Sequence, residues 1–126
     1  MSWQLKMTDD VKEWLHRLRK DDRRTSRLVG RAVAALLEDG PALGRPLVDR
    51  VKGSHWHNLK ELRPPSAGRS EVRILFVFDP IRNAVLLVAG DKAGSWNAWY
   101  ATAIPQAEAL YLEWLDQLDT GGDDER

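Results

Sequence analysis

Apolar positions in the first third of the chain recur with a helical period. Val11, Trp14, Leu15 and Leu18 stand at i, i+3, i+4 and i+7, forming one stripe, while Lys12, Arg17, Arg19 and Lys20 face elsewhere. Thr8 precedes the stripe with an N-cap oxygen, and Asp9 and Asp10 occupy the turn where a helix dipole favours negative charge. Behind Asp21 and Asp22 the spacing returns in Val29, Ala32, Val33, Leu36 and Leu37, and Gly40-Pro41 ends it, so the pattern predicts a helical hairpin. Trp3 to Met7, ahead of the hairpin, reads as a short edge strand. From Pro41 to His55 the chain carries Gly44, Pro46 and Gly53 and no clean period, which predicts a surface loop without regular structure.

The second half changes period. Leu59 to Arg63 reads as a strand whose leucines do not alternate strictly, which suggests a bulge or an edge position. Val72 to Phe78 is a nearly unbroken apolar run, as expected of a central strand covered on both faces. Asp79 to Asn83 has turn chemistry and Ala84 to Ala89 returns as its hairpin partner. A last amphipathic helix is marked by Ala107, Leu110, Tyr111, Trp114, Leu115 and Leu118. The predicted order is β-α-α-β-β-β-α. It defines an α+β domain with a small antiparallel (mixed) sheet, the helical hairpin on one face and a C-terminal helix.

Composition narrows the class. At 126 residues, with 43% hydrophobic and 30% charged positions, the chain has the composition of a soluble globular domain, and no apolar run approaches a membrane span. The opening MSWQLKMTDD has no apolar segment, which predicts a cytoplasmic protein. The absence of cysteine excludes disulfides and thiolate chemistry. The formal charge of zero hides an asymmetry. Met1 to Gln106 holds 18 basic and 12 acidic residues, and Ala107 to Arg126 holds 1 and 7. A basic body points to a polyanionic partner.

Candidate chemistry sits on the strands and their ends: Lys60, Arg63, Arg73 and Lys92, then Trp96, Trp99 and Tyr100. Arg73 interrupts the apolar central strand, where an unpaired charge is expensive, so it either pairs with Glu61 or Glu71 or forms an anion site. Trp96 and Trp99 are either core residues or stacking platforms for bases. His16, His55 and His57 do not make a metal site by themselves, so no metal or other cofactor is expected.

Four blocks, Leu59-Lys-Glu-Leu-Arg63, Val72-Arg-Ile-Leu-Phe-Val-Phe-Asp79, Gly90-Asp-Lys-Ala-Gly-Ser-Trp-Asn-Ala-Trp-Tyr100 and Ala103-Ile-Pro-Gln-Ala107, resemble the phage-derived HigB-like branch of the RelE/HigB toxin family. The resemblance covers about residues 3 to 118. It implies a single RelE-like toxin domain over 1–119, with 120–126 an acidic disordered tail. It also implies a type II toxin that inhibits translation by cutting mRNA on the ribosome, without a metal, and that is held by a cognate helix-turn-helix antitoxin. Operator DNA would be reached only through that antitoxin, and no membrane is involved. By likeness, Arg73 is the phosphate clamp, Lys92 and Lys60 are supporting cations, and Tyr100 stacks on or orients a base beside the cut. Arg63, Trp96, Trp99 and His57 are the further RNA-binding candidates, with His57 also a candidate for proton transfer. Two rivals share the fold: a ParE-like gyrase-binding toxin without nuclease chemistry, and a prophage regulatory protein that only binds an antitoxin.

Overall fold

The computed structural model describes residues 3–66, 68–94 and 96–124, with the backbone alone at 96 and 120–124. Strand β1 (Gln4–Met7) leads into helices α1 (Asp9–Asp21) and α2 (Arg23–Asp39), then a single 3-10 turn (Gly40–Ala42). Strands β2 (Val48–Arg50), β3 (Lys60–Leu62), β4 (Val72–Phe78) and β5 (Asn83–Asp91) follow, and helix α3 (Trp96–Asp124) closes the order. The sheet runs β1-β5-β4-β3-β2. Its pairs are antiparallel except that β1 lies parallel to β5, as the intervening hairpin and strands allow. The α+β class expected from periodicity is therefore present. Among the described residues no helix is long and apolar enough to cross a membrane.

The caps form where the sequence places them. Thr8 Oγ1 accepts from the Val11 amide and also donates to the Leu87 carbonyl, which fastens α1 to the sheet. Asp22 accepts from the amide and hydroxyl of Thr25, and these bonds hold its carboxyl below the usual range. Gly40 ends α2 at a φ of 59°, with the Trp3 indole packed where a β-carbon would stand.

Three expectations are corrected. The 41–55 segment is not without regular structure: it contains the 3-10 turn and β2, whose three residues pair with β3. A strand of that length rests on its ladder partner and has no room to display a period. With β2 outside it, β3 is an inner strand, and the register shift falls in the β4–β5 pair, between Leu75 and Phe76. The last helix also begins earlier than Ala107, at Trp96, and carries Pro105 inside it. Proline removes one helical hydrogen bond at a cost of about 3 kcal/mol. The stripe of Trp99, Ala103, Ala107 and Tyr111 packed on the sheet offsets that cost. The acidic-tail expectation at 120–126 falls on positions whose side chains lie outside the described residues.

The sheet is covered on both faces. Ile74, Phe76 and Leu86 meet Val11, Val29, Ala32 and Leu36 of the hairpin. Leu75, Val77, Val85 and Leu87 meet Ala103, Ala107 and Tyr111 of α3. The β4–β5 turn is tied to α3 as well: Asp79 accepts from the Ile81 and Asn83 amides and from the indole N–H of Trp114.

Candidate nucleic-acid cleft

The α3 face is apolar near the β4–β5 turn and charged at its other end. Strand alternation puts Arg73 on the same face as Leu75, and Glu61 lies directly across from Leu75 on β3, so Arg73 and Glu61 are diagonal neighbours. Arg73 stands opposite Gly90 on β5. A side chain at Gly90 would collide with the Trp99 indole, so the bare backbone there lets the first turns of α3 descend onto the sheet. That descent delivers Tyr100 to Glu61.

Glu61 is the hub. It is 2% exposed, and its Oε1 accepts a hydrogen bond from the Tyr100 hydroxyl. Its Oε2 accepts from Arg63 Nε at 2.7 Å, and Arg73 Nε lies 3.9 Å from Oε1. A buried carboxylate is tolerable only with such partners. Arg63 also reaches Asp49 of β2 at 3.4 Å, and Arg45 reaches the same carboxylate at 3.2 Å. A bond from the Arg50 amide, followed by Arg45, holds the Asp49 carboxyl below its usual range. Desolvation works against the Arg63 charge, but the bond to Glu61 and the charges of Glu61 and Asp49 outweigh it and raise its pKa. The pairing of Arg73 with Glu61 or Glu71, raised from the sequence, is with Glu61. It is a loose pairing: Arg73 donates one Nη1 bond to the Val72 carbonyl, and its buried Nε has no hydrogen-bond partner among the described residues.

Lys92 follows β5, is 2% exposed, and lies with Nζ 5.5 Å from the Tyr100 ring centre. Burial, then the charge of Arg73, pushes its pKa down against the pull of Glu61 and Glu71. Burial and the bond to Glu61 push the Tyr100 phenol up, so it stays a neutral donor. These residues, with Arg45, Asp49, Arg50, Lys52 and Asn97, line a cleft of about 590 Å³.

Four of the residues singled out from the sequence, Arg63, Arg73, Lys92 and Tyr100, meet in this cleft. Lys60 does not: it alternates with Glu61, its Nζ lying 5.5 Å from the Phe78 ring centre, with Phe78 packed against the hairpin-side core. His57 is exposed in the loop before β3 and is not a wall of the cleft. Trp99 packs against the α3-side core, edge-on to Tyr100. The Trp96 side chain lies outside the described residues. Sequence reasoning saw Glu61 only as a partner for Arg73 and passed over Asp49. The available signal for Glu61 was a carboxylate set between Leu59 and Leu62 in a strand, a position that demands several donors.

A small α+β domain that gathers arginines and a desolvated lysine around one buried carboxylate presents a compact cleft with more basic than acidic walls. Residues 13–112 match the family described as "Phage derived protein Gp49-like (DUF891)". Two relatives come from Mycobacterium tuberculosis (strain ATCC 25618 / H37Rv). The chain is 53% identical over 109 residues to "Putative toxin HigB2", covering 86% of this chain and 53% of that protein. It is 47% identical over 112 residues to "Putative toxin HigB3", covering 89% and 93%. The chain thus spans about half the length of the first relative and nearly all of the second. The chain belongs to the phage-derived Gp49-like family of HigB-type proteins.

Proposed function

We propose that this chain is the toxin of a type II toxin–antitoxin module and acts as a ribosome-dependent mRNA endoribonuclease. The observation that carries the reading is the convergence of Arg63, Arg73 and Lys92 with Tyr100 on the buried Glu61 in one cleft. RNA cleavage by its own 2′-hydroxyl needs a proton acceptor, cations for the phosphate as charge builds, and an acid for the departing oxygen. Glu61 is the acceptor, directly or through the Tyr100 hydroxyl that bonds to it. Arg73, only loosely paired with Glu61, and Arg63 hold the phosphate, and the planar guanidinium suits that task. The 2′-oxygen bonds to phosphorus, the bond to the 5′-oxygen breaks, and Lys92, whose lowered pKa eases proton release, protonates the leaving oxygen. The products are a 2′,3′-cyclic phosphate and a 5′-hydroxyl. The ribosome presents the message strand in the geometry that a domain of this size cannot impose alone.

The test uses an mRNA with a single 2′-deoxy substitution at the cut site. Programmed ribosomes should yield cyclic-phosphate ends on the unmodified message and no cut on the deoxy message. A cut in the deoxy message, or 5′-phosphate products, rejects the mechanism. Expression of the chain alone should arrest bacterial growth; healthy growth with folded protein, or arrest traced to gyrase with mRNA intact, rejects the nuclease reading.

A further inference from the structure

Strand β2 is the outer strand beside the cleft and has three residues, of which Val48 joins the hairpin-side core. Alternation puts Asp49 on the other face, directly across from Glu61 on β3. Two carboxylates that face each other across a ladder repel, and a negative charge in this cleft also opposes the binding of a phosphate. The contacts of Asp49 show what the charge does instead. Strand pairing continues one residue past β3, where the Arg63 amide donates to the Leu47 carbonyl. Arg63 therefore shares the face of Glu61 and is the diagonal neighbour of Asp49. Its Nε donates to Glu61 Oε2 at 2.7 Å, and its Nη1 lies 3.4 Å from Asp49 Oδ2. Held at Nε alone, a guanidinium pivots about that contact; a second contact sets its plane. Both N–H groups of Nη2 lie beyond these two contacts, and the Arg63 side chain is 36% exposed. Asp49 is itself held in place, with Oδ1 accepting from the Arg50 amide at 2.8 Å and Arg45 Nε 3.2 Å from Oδ2. With one oxygen on an amide and the other between two arginines, this carboxylate is committed as an acceptor and is not a base for the 2′-hydroxyl.

We propose that Asp49 is a positioning residue of the cleft, which fixes the plane of the Arg63 guanidinium against Glu61 and so aims its open edge at the phosphate of the cut site. The proposal rests on the nuclease reading above and names a residue that this reading does not use. Donors fixed in advance favour the transition state because they need no rearrangement as charge builds. An Arg63 held by Glu61 alone still attracts RNA, but in a range of orientations of which few meet the developing charge. Asp49 thus opposes phosphate binding through its own charge and assists the chemical step through Arg63. The two effects have opposite signs, which separates positioning from simple electrostatics.

The experiment compares the full chain with Asp49→Asn, Arg63→Lys and the double variant on programmed ribosomes, with Tm measured for each. Asparagine keeps the shape of Asp49 and removes its charge; lysine keeps a cation beside Glu61 but has no plane to fix. In Asp49→Asn, kcat should fall by about tenfold at unchanged Tm, as a small misplacement of a positioned group brings about. KM should stay the same or fall, since a negative charge has left the cleft. In the Arg63→Lys background the same substitution should lower kcat no further, because Asp49 acts through the guanidinium. An unchanged or raised kcat, an equal loss in both backgrounds, or a loss that follows the folded fraction overturns the proposal and leaves the nuclease reading standing. A second measurement needs no cleavage. The Arg63 Nε–H signal of the ¹⁵N-labelled chain should exchange with water about tenfold faster in Asp49→Asn than in the parent. Equal exchange rates overturn the proposal as well. If the parent cuts no message on ribosomes, the nuclease reading fails and the role of Asp49 in cleavage falls with it, whatever the exchange rates.

Discussion

The two faces of the sheet use the same strands and carry different burdens. On the hairpin face, Ile74, Phe76 and Leu86 are fully buried against an apolar cluster that includes Val11, Val29, Ala32 and Leu36 of α1 and α2. On the α3 face, Leu75, Val77, Val85 and Leu87 give way to Glu61, Arg73 and Lys92 at the end where α3 begins. One residue of strand offset separates a dry core position from a charged cleft position. Stability and chemistry can therefore be divided between alternate side chains of one strand. The charged half is tolerated because each buried ion has partners close by: Tyr100, Arg63 and Arg73 surround Glu61.

The sharpest way to break this comparison is to swap what each face is asked to lose. Arg73→Ala should reduce cleavage on programmed ribosomes by about 10² to 10³, as loss of one preorganised charge donor does. Its melting temperature should stay close to that of the parent, since Arg63 and Tyr100 remain on Glu61. A large fall in melting temperature, with activity following the folded fraction, would show Arg73 to be structural. Leu36→Ala, under the opposite face, should cost about 2 to 5 kcal/mol in denaturant unfolding and leave activity per folded molecule unchanged.

Trp114→Ala removes half-buried packing and the bond to Asp79 at the apolar end of the α3 face, and should cost about 2 kcal/mol. If its unfolding midpoint equals that of the parent, α3 is held only at the cleft end. The smallest effect concerns Lys92. Its folded pKa lies below the usual 10.5, so the folded chain releases this proton before the unfolded chain does. Stability should then rise with pH between the lowered value and 10.5, and Lys92→Met should flatten that rise without lowering the melting temperature. Cleavage that depends on protonated Lys92 should fall over the same pH interval. A pH–stability slope identical in the parent and the variant would show that Lys92 is not desolvated.

Local signals determined much of this protein directly. The Thr8 and Asp22 caps, the two helical stripes, the β4 run and the Asp79 turn depend on neighbours three or four residues away, or on alternation within one strand, so they are legible in the chain. The candidates Arg63, Arg73, Lys92 and Tyr100 were legible too, as charges and aromatics at strand ends whose blocks resemble a known family. What remained for the tertiary structure was every feature that depends on a partner distant in sequence. Strand β2 exists because β3 lies beside it. Helix α3 runs through Pro105 because the sheet rewards the Trp99-to-Tyr111 stripe. Lys60 and Glu61 are adjacent in the chain, yet the two-residue repeat of a strand sends one toward Phe78 and the other to Tyr100. How closely α3 approaches the charged end of its face was decided by the bare backbone of Gly90, over which Trp99 settles and brings Tyr100 onto Glu61.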